Sequence, residues 1–255
     1  MEQLILSSLW IIFLYATFWF VVSLITKRND FVDVARGLWY IVLCIYYFFV
    51  WDGSQREILI YGLITLWWLR LAITIFLKNI KKDEDFRYAQ WRKDRWKYFY
   101  IRSYLQIYIL QGVLMWIIAF PALLVTAAEP VPLHIRDVFG VVLWLVWFFF
   151  EAVWDWQLAQ FKKDPDNKWK ILDTWLWKYT RHPNYFGEVV MWWAIFILWS
   201  SVTHGIYGIV SALTITFLIL YVSWIPMLEK KYEWNPDYEA YKKKTNKFFP
   251  WFPKK

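Results

Sequence analysis

Apolar residues along this chain come in long unbroken runs, with polar residues gathered between them. The runs at 4–25, 34–50, 57–77, 103–126, 138–161, 189–203 and 206–227 show no strict alternation. Crossing a bilayer takes about 20 apolar residues as a helix. A membrane β-barrel would alternate apolar and polar positions over short segments, so it is excluded. The pattern predicts an all-α, polytopic membrane protein of about seven transmembrane helices. The sixth run is short and crowded by Trp192, Trp193 and Trp199. Glu2 stands where a cleavable signal would carry basic residues, and Lys27 and Arg28 follow the first run, so that run reads as a span.

Composition agrees with this reading. Of 255 residues, 60% are hydrophobic and 24% aromatic, with 22 Trp. Soluble domains are nearer 45–50% apolar. The net charge is +8, and its placement carries more information than its size. With seven spans, 26 of the 29 lysines and arginines fall on one side. Arg56 and Arg136 lie opposite, and Arg70 is inside a span. The positive-inside rule then puts the N-terminus outside and the C-terminus in the cytoplasm. The basic balance is accounted for by the membrane, so no nucleic-acid partner is expected, and no obligate protein partner is evident. Cys44 is the only cysteine, and His134, His182 and His204 are far apart, so neither a disulfide nor a metal site is expected. No repeat or linker interrupts the chain, which reads as one domain, 1–255.

Chemistry is concentrated in the polar segments 78–102, 162–188 and 229–255 on the predicted cytoplasmic side. Arg181-His182-Pro183-Asn184-Tyr185-Phe186-Gly187-Glu188 is the richest stretch. Pro183 disfavours helix at the residue before it and suits a helix start. A helix N-terminus favours anions, and the Arg181 guanidinium matches phosphate. Asn184 and Tyr185 can hydrogen-bond a base, amide or sugar. Gly187 permits close approach to the backbone, and Glu188 can hold a hydroxyl or amide. The plainer alternative is an interfacial turn with snorkelling side chains. Glu151, Asp155 and Lys162 share one helix face; they read equally as the wall of a cofactor cavity or as a helix end emerging into water. Arg70 inside a span demands a partner, for which Asp33, Glu84 and Asp85 are available; a structural ion pair is the competing role. Tyr88 is a possible proton donor in an otherwise solvated loop. Tyr232 and Tyr238 could stack on a nucleotide, whereas Phe248, Phe249, Trp251 and Phe252 suit an interfacial anchor.

The stretch Arg181–Glu188, with Trp177-Lys178-Tyr179-Thr180 before it and Trp192-Trp193 after it, resembles the C-terminal signature of the steroid 5-alpha-reductase superfamily. Its broad microbial branch is similar also through Glu84–Tyr88, Glu151 with Asp155–Leu158, and Leu228–Tyr232. The resemblance covers nearly the whole chain and is strongest over 138–255. It implies a seven-helix reductase that uses NADPH to reduce an activated C=C bond of a lipophilic substrate: a steroid-like, polyprenoid or other enone lipid. It implies a nucleotide held by about 138–255, with Asp155, Lys162, Arg181, His182, Asn184, Tyr185, Glu188 and Tyr232 as contacts. Arg70, Tyr88 and Glu151 are the candidates for polarising and protonating the substrate. The Gln-Glu pair of the steroid-reducing branch is absent from 34–50, and Trp67 stands where that branch has a tyrosine, so the substrate half is altered. Isoprenylcysteine-type carboxyl methyltransferases, which use S-adenosylmethionine, share a related Arg-His-Pro signature and are the competing enzyme class. A non-enzymatic lipid-binding protein of the same fold is the third reading. The expected location is a bacterial inner membrane, or the endoplasmic reticulum in a eukaryote.

Overall fold

A computed structural model of the chain describes residues 2–29, 31–50, 54–79, 90, 98–168, 170–222 and 224–254. Every regular element among these residues is helical. In chain order they are α1 (Glu2–Thr26), α2 (Phe31–Val50), α3 (Gln55–Asn79) and α4 (Phe99–Thr126). There follow α5 (Ile135–Lys163), α6 (Pro183–Trp199), α7 (Ile209–Phe217), α8 (Trp224–Lys231) and α9 (Pro236–Lys244). Two stretches take the wider π-helical winding, Ser103–Ile109 inside α4 and Leu218–Val222 after α7. Five helical stretches are long and apolar enough to cross a membrane: α1, α3 (over Gln55–Phe76), α4, α5 and Gly205–Lys231. The helices α2 and α6 coincide with the second and sixth apolar runs but fall outside that set.

The chain divides into two compact units. The first comprises Met1–Leu133 and Trp199–Gly208, the second His134–Leu198 and Ile209–Lys255. The expected cofactor half, 138–255, falls in the second unit except for its residues 199–208.

In the first unit, α2 and α3 approach so closely that a Cβ on Gly37 would lie 2.8 Å from the Ala72 Cβ. Small residues at such crossings are the usual device where lipid removes the hydrophobic drive for helices to associate. Tyr40 stacks on Trp68 with centroids 4.2 Å apart. Several side-chain hydrogen bonds join helices here, as suits a lipid-embedded interior. The Tyr15 hydroxyl donates to the Ala35 carbonyl at 2.7 Å, and Trp116 Nε1 donates to Ser8 Oγ at 2.9 Å. Tyr61 bonds to Thr126 Oγ1. By contrast, α1 leaves Leu6, Trp10, Leu14 and Phe18 largely exposed, a face suited to lipid. Lys27 takes φ 56° just beyond α1, ending the helix with a left-handed residue.

In the second unit, α5 and α6 run antiparallel. A Cβ on Gly140 would meet the Ala194 carbonyl oxygen at 3.1 Å. A Cβ on Gly187 would meet Trp154 Cζ3 at 3.4 Å and Glu151 Cβ at 3.6 Å. This crossing brings the C-terminal part of α5 beside the N-terminal end of α6. Trp193 Nε1 donates to Thr216 Oγ1 at 3.3 Å, joining α6 to α7. The helix α6 begins at Pro183, six residues before the apolar run at 189. Proline at the first helical position has no N–H to leave unpaired and is preset in φ, so the helix starts in the polar stretch.

Candidate functional site

The second unit gathers its charges where the ends of α5, α6 and α8 meet. Glu229, in the last turns of α8, is the centre. Its Oε1 accepts from Arg181 Nη2 at 2.6 Å, from Arg181 Nε at 3.0 Å and from His182 Nε2 at 3.0 Å. The rest of the Arg181 fork turns the other way. Its Nη1 donates to the carbonyls of Thr245 at 2.6 Å and Lys242 at 3.2 Å. These are carbonyls of the last turn of α9 and its cap, which a helix leaves unpaired. Arg181 thus clamps α8 to the C-terminal end of α9, and its guanidinium is filled by protein groups. The sequence pattern suggested phosphate for this residue; the geometry gives it a structural bridge.

The helix α9 is set up for that bridge. Asn235 caps it by accepting from the Asp237 N–H at 2.9 Å, Pro236 follows, and Thr245 leaves the helix in extended conformation. The buried Tyr241 hydroxyl bonds to the Trp177 carbonyl and reaches the Thr180 carbonyl at 3.3 Å. The segment before α6 and the segment after α9 are therefore held side by side.

His182 is buried, and burial pushes its pKa below the ordinary 6.5, against the opposing pull of the Glu229 carboxylate. A neutral ring that donates through Nε2 to a carboxylate carries its lone pair on Nδ1. That Nδ1 is buried and has no hydrogen-bond partner among the described residues. The ring lies nearly parallel to Tyr185, with centroids 5.8 Å apart. In the first turn of α6, Asn184 Nδ2 donates to Asp155 Oδ1 on α5 at 2.6 Å. The same contact fixes the amide orientation, because only the nitrogen can donate to a carboxylate. Asn184 Oδ1 is then a second buried acceptor with no partner among the described residues, and Gln157 Oε1 on α5 is a third.

The remaining expected residues distribute as follows. Glu151 is buried on α5 beside Gly187, and Glu188 is half-buried on α6. What approaches the backbone at Gly187 is the neighbouring helix α5. Lys162 is exposed in the last turn of α5. Tyr232 follows α8 and packs on Tyr238 with centroids 5.3 Å apart. Asp155, His182, Asn184, Tyr185 and, through Glu229, Arg181 thus form one constellation. The candidates for the substrate end fall as follows. Arg70 is half-buried on α3 in the first unit, Glu151 belongs to the second, and Tyr88 lies outside the described residues, as do Glu84 and Asp85. The side chain of Asp33 is likewise outside them.

Glu229 and Gln157 were not expected at the site. Each carried a signal. Glu229 is the first acid after the last long apolar run, and Gln157 sits one turn beyond Trp154 and two residues after Asp155.

The model of a family described as a protein of unknown function, DUF1295, matches residues 19–245, and the chain belongs to that family. No curated protein and no solved structure matches it.

Proposed function

We propose that this DUF1295 chain is a membrane reductase of the steroid 5-alpha-reductase type, which uses NADPH to reduce an activated C=C bond of a lipophilic substrate. One observation carries the reading. Three buried acceptors, His182 Nδ1, Asn184 Oδ1 and Gln157 Oε1, lie on α5 and at the start of α6 without hydrogen-bond partners among the described residues. Leaving a buried polar atom unsatisfied costs about 1–3 kcal/mol. A ligand rich in hydroxyl and amide donors would remove that cost, and the ribose hydroxyls and carboxamide of NADPH are such donors.

The fit assigns roles residue by residue. Asp155 holds the Asn184 amide so that its carbonyl oxygen faces the ligand. Glu229 holds the His182 ring in the tautomer that offers Nδ1. Glu188 and Glu151 supply further carboxylates on the facing helices, and Tyr185 and Tyr232 offer aromatic faces. Since Arg181 is spent on Glu229 and α9, the phosphates fall to Lys162 and to the N-terminal end of α6. When bound, NADPH supplies the hydride. The chain's own part in the chemistry is to stabilise negative charge on the substrate oxygen and deliver a proton, for which Arg70, Tyr88 and Glu151 are the candidates. We place the site on the cytoplasmic side, with the substrate entering from the bilayer.

The test is identification by mass spectrometry of small molecules that co-purify with the full chain in mild detergent, followed by calorimetric titration with NADPH. NADP(H) in the preparation and saturable binding support the reading. Asn184→Ala should then weaken NADPH binding about tenfold, the loss of about 1.4 kcal/mol. S-adenosylmethionine in its place, or lipid alone with no NADPH binding, overturns it.

A further inference from the structure

The last part of the chain is held by the backbone and yet presents its aromatic side chains outward. Residues 242–254 contain five lysines and no acidic residue. Hydrogen bonds tie this tail down. The Arg181 N–H donates to the Asn246 carbonyl at 3.0 Å, and the Trp251 N–H to the Tyr179 carbonyl at 3.0 Å. The Lys254 N–H donates to the Lys244 carbonyl at 2.8 Å, and Thr180 Oγ1 to the Phe248 carbonyl at 2.8 Å. Phe248 turns in and packs on Phe186 with centroids 5.2 Å apart. Phe249, Trp251 and Phe252 turn out, at 69%, 69% and 72% exposure.

An ordered backbone that holds three large aromatics in the open is costly in water, because each buries 150–250 Å² when covered. Lys243, Lys244, Lys247 and Lys254 are exposed on the same stretch. The polar segment before α6 has a related feature. Trp175 adopts φ 55°, a left-handed conformation that is costly for a bulky residue, and is 56% exposed. Its ring lies within 10° of parallel to the equally exposed Trp156. In the tail, exposed aromatics with lysines around them and no acids between match an anionic lipid surface. The indole and phenyl rings sit at the boundary of the acyl chains while the ammonium groups meet phosphates.

We infer that the C-terminal tail is a docking surface for anionic phospholipid, with Phe249, Trp251 and Phe252 seated in the interface and the lysines on the headgroups. The inference is independent of the reductase reading. The tail is bonded to residues 179–181 just before α6, and Phe248 packs on Phe186 in its first turn, which puts the tail at the end of a helix whose apolar stretch begins at 189.

The test uses the full chain carrying Cys44→Ala and Phe252→Cys, labelled with an environment-sensitive fluorophore and reconstituted into vesicles. One set is phosphatidylcholine alone; the other includes phosphatidylglycerol. Iodide quenching reads the exposure of the label. The label should be shielded in the phosphatidylglycerol vesicles and should become quenchable at high salt. Each lysine near an anionic surface is worth about fivefold in the ratio of docked to free tail. Lys243→Gln with Lys244→Gln should therefore lower that ratio about 25-fold. A label at Lys254→Cys provides the same readout if Phe252→Cys does not fold. Equal quenching in both lipids overturns the inference. So does shielding in native membranes that is lost in protein-free lipid, since the occupant would then be an acidic protein.

Discussion

The two units solve the problem of buried polarity in opposite ways. In the first, neutral pairwise bonds join the helices: Tyr15 to Ala35, Tyr61 to Thr126, Trp116 to Ser8. Removing any one of them affects a single pair. In the second, charges converge. One oxygen of Glu229 receives two nitrogens of Arg181 and one of His182, and the same Arg181 caps α9. A pairwise interior fails locally. A convergent one ties the entry of α6, the end of α8, α9 and the tail to one side chain, which is how a site is held in register while some of its acceptors stay open.

The largest expected effect tests that convergence. Arg181→Met should destabilise the second unit by about 3–5 kcal/mol, because it leaves a carboxylate without its charged partner and strips the cap from α9. Thermal unfolding in detergent, followed by intrinsic fluorescence, reads it. A loss below about 1 kcal/mol would place Arg181 among ordinary surface pairs and dissolve the contrast between the units. The matched change in the first unit is Tyr61→Phe. It should cost only about 1 kcal/mol, since Thr126 keeps its bond to the Ala122 carbonyl at 2.7 Å.

Helix crossings offer a comparison in which the first unit is the more sensitive. Gly37→Ala drives a Cβ to 2.8 Å from the Ala72 Cβ and 3.3 Å from the Ala72 Cα, so α2 and α3 must separate. We expect a loss of about 1–3 kcal/mol. Gly140→Ala meets its nearest atoms at 3.1 Å, one of them on the adjustable Leu198 side chain. Its loss should be the smaller of the two, read in the same unfolding assay. The reverse order would mean that α5 and α6 are the tighter pair.

Legibility in the sequence followed the kind of interaction. The apolar runs were readable because hydropathy is a property of a run, and those at 4–25, 57–77, 103–126, 138–161 and 206–227 coincide with helical stretches that, among the described residues, are long and apolar enough to cross a membrane. The start of α6 was less so, since its first turn is polar and only Pro183 marks it. The constellation around Asn184 was readable from residue type. The use of Arg181 was not: a guanidinium suits phosphate, carboxylate and backbone carbonyls alike, and only the fold brings Glu229 and the end of α9 to it, 48 and 64 residues away. Gly187 shows the same limit. The sequence indicated that something approaches the backbone there, and the fold supplies α5.

The smallest predicted effect is a pH dependence carried by His182 in the second unit. His182 is held neutral by burial, so its pKa in the folded protein lies below the ordinary 6.5. Below that ordinary value the unfolded chain takes up a proton that the folded one refuses. Stability is therefore fully present above about pH 6.5 and declines as pH falls from there toward the folded-state pKa. Unfolding midpoints measured between about pH 7.5 and about pH 5.5 should fall for the native chain. His182→Gln keeps a hydrogen-bond donor toward Glu229 but cannot titrate, so its midpoint should fall less over the same range. If the two chains fall in parallel, the proton uptake belongs to another group, and the His182 ring is not the neutral acceptor that the site requires.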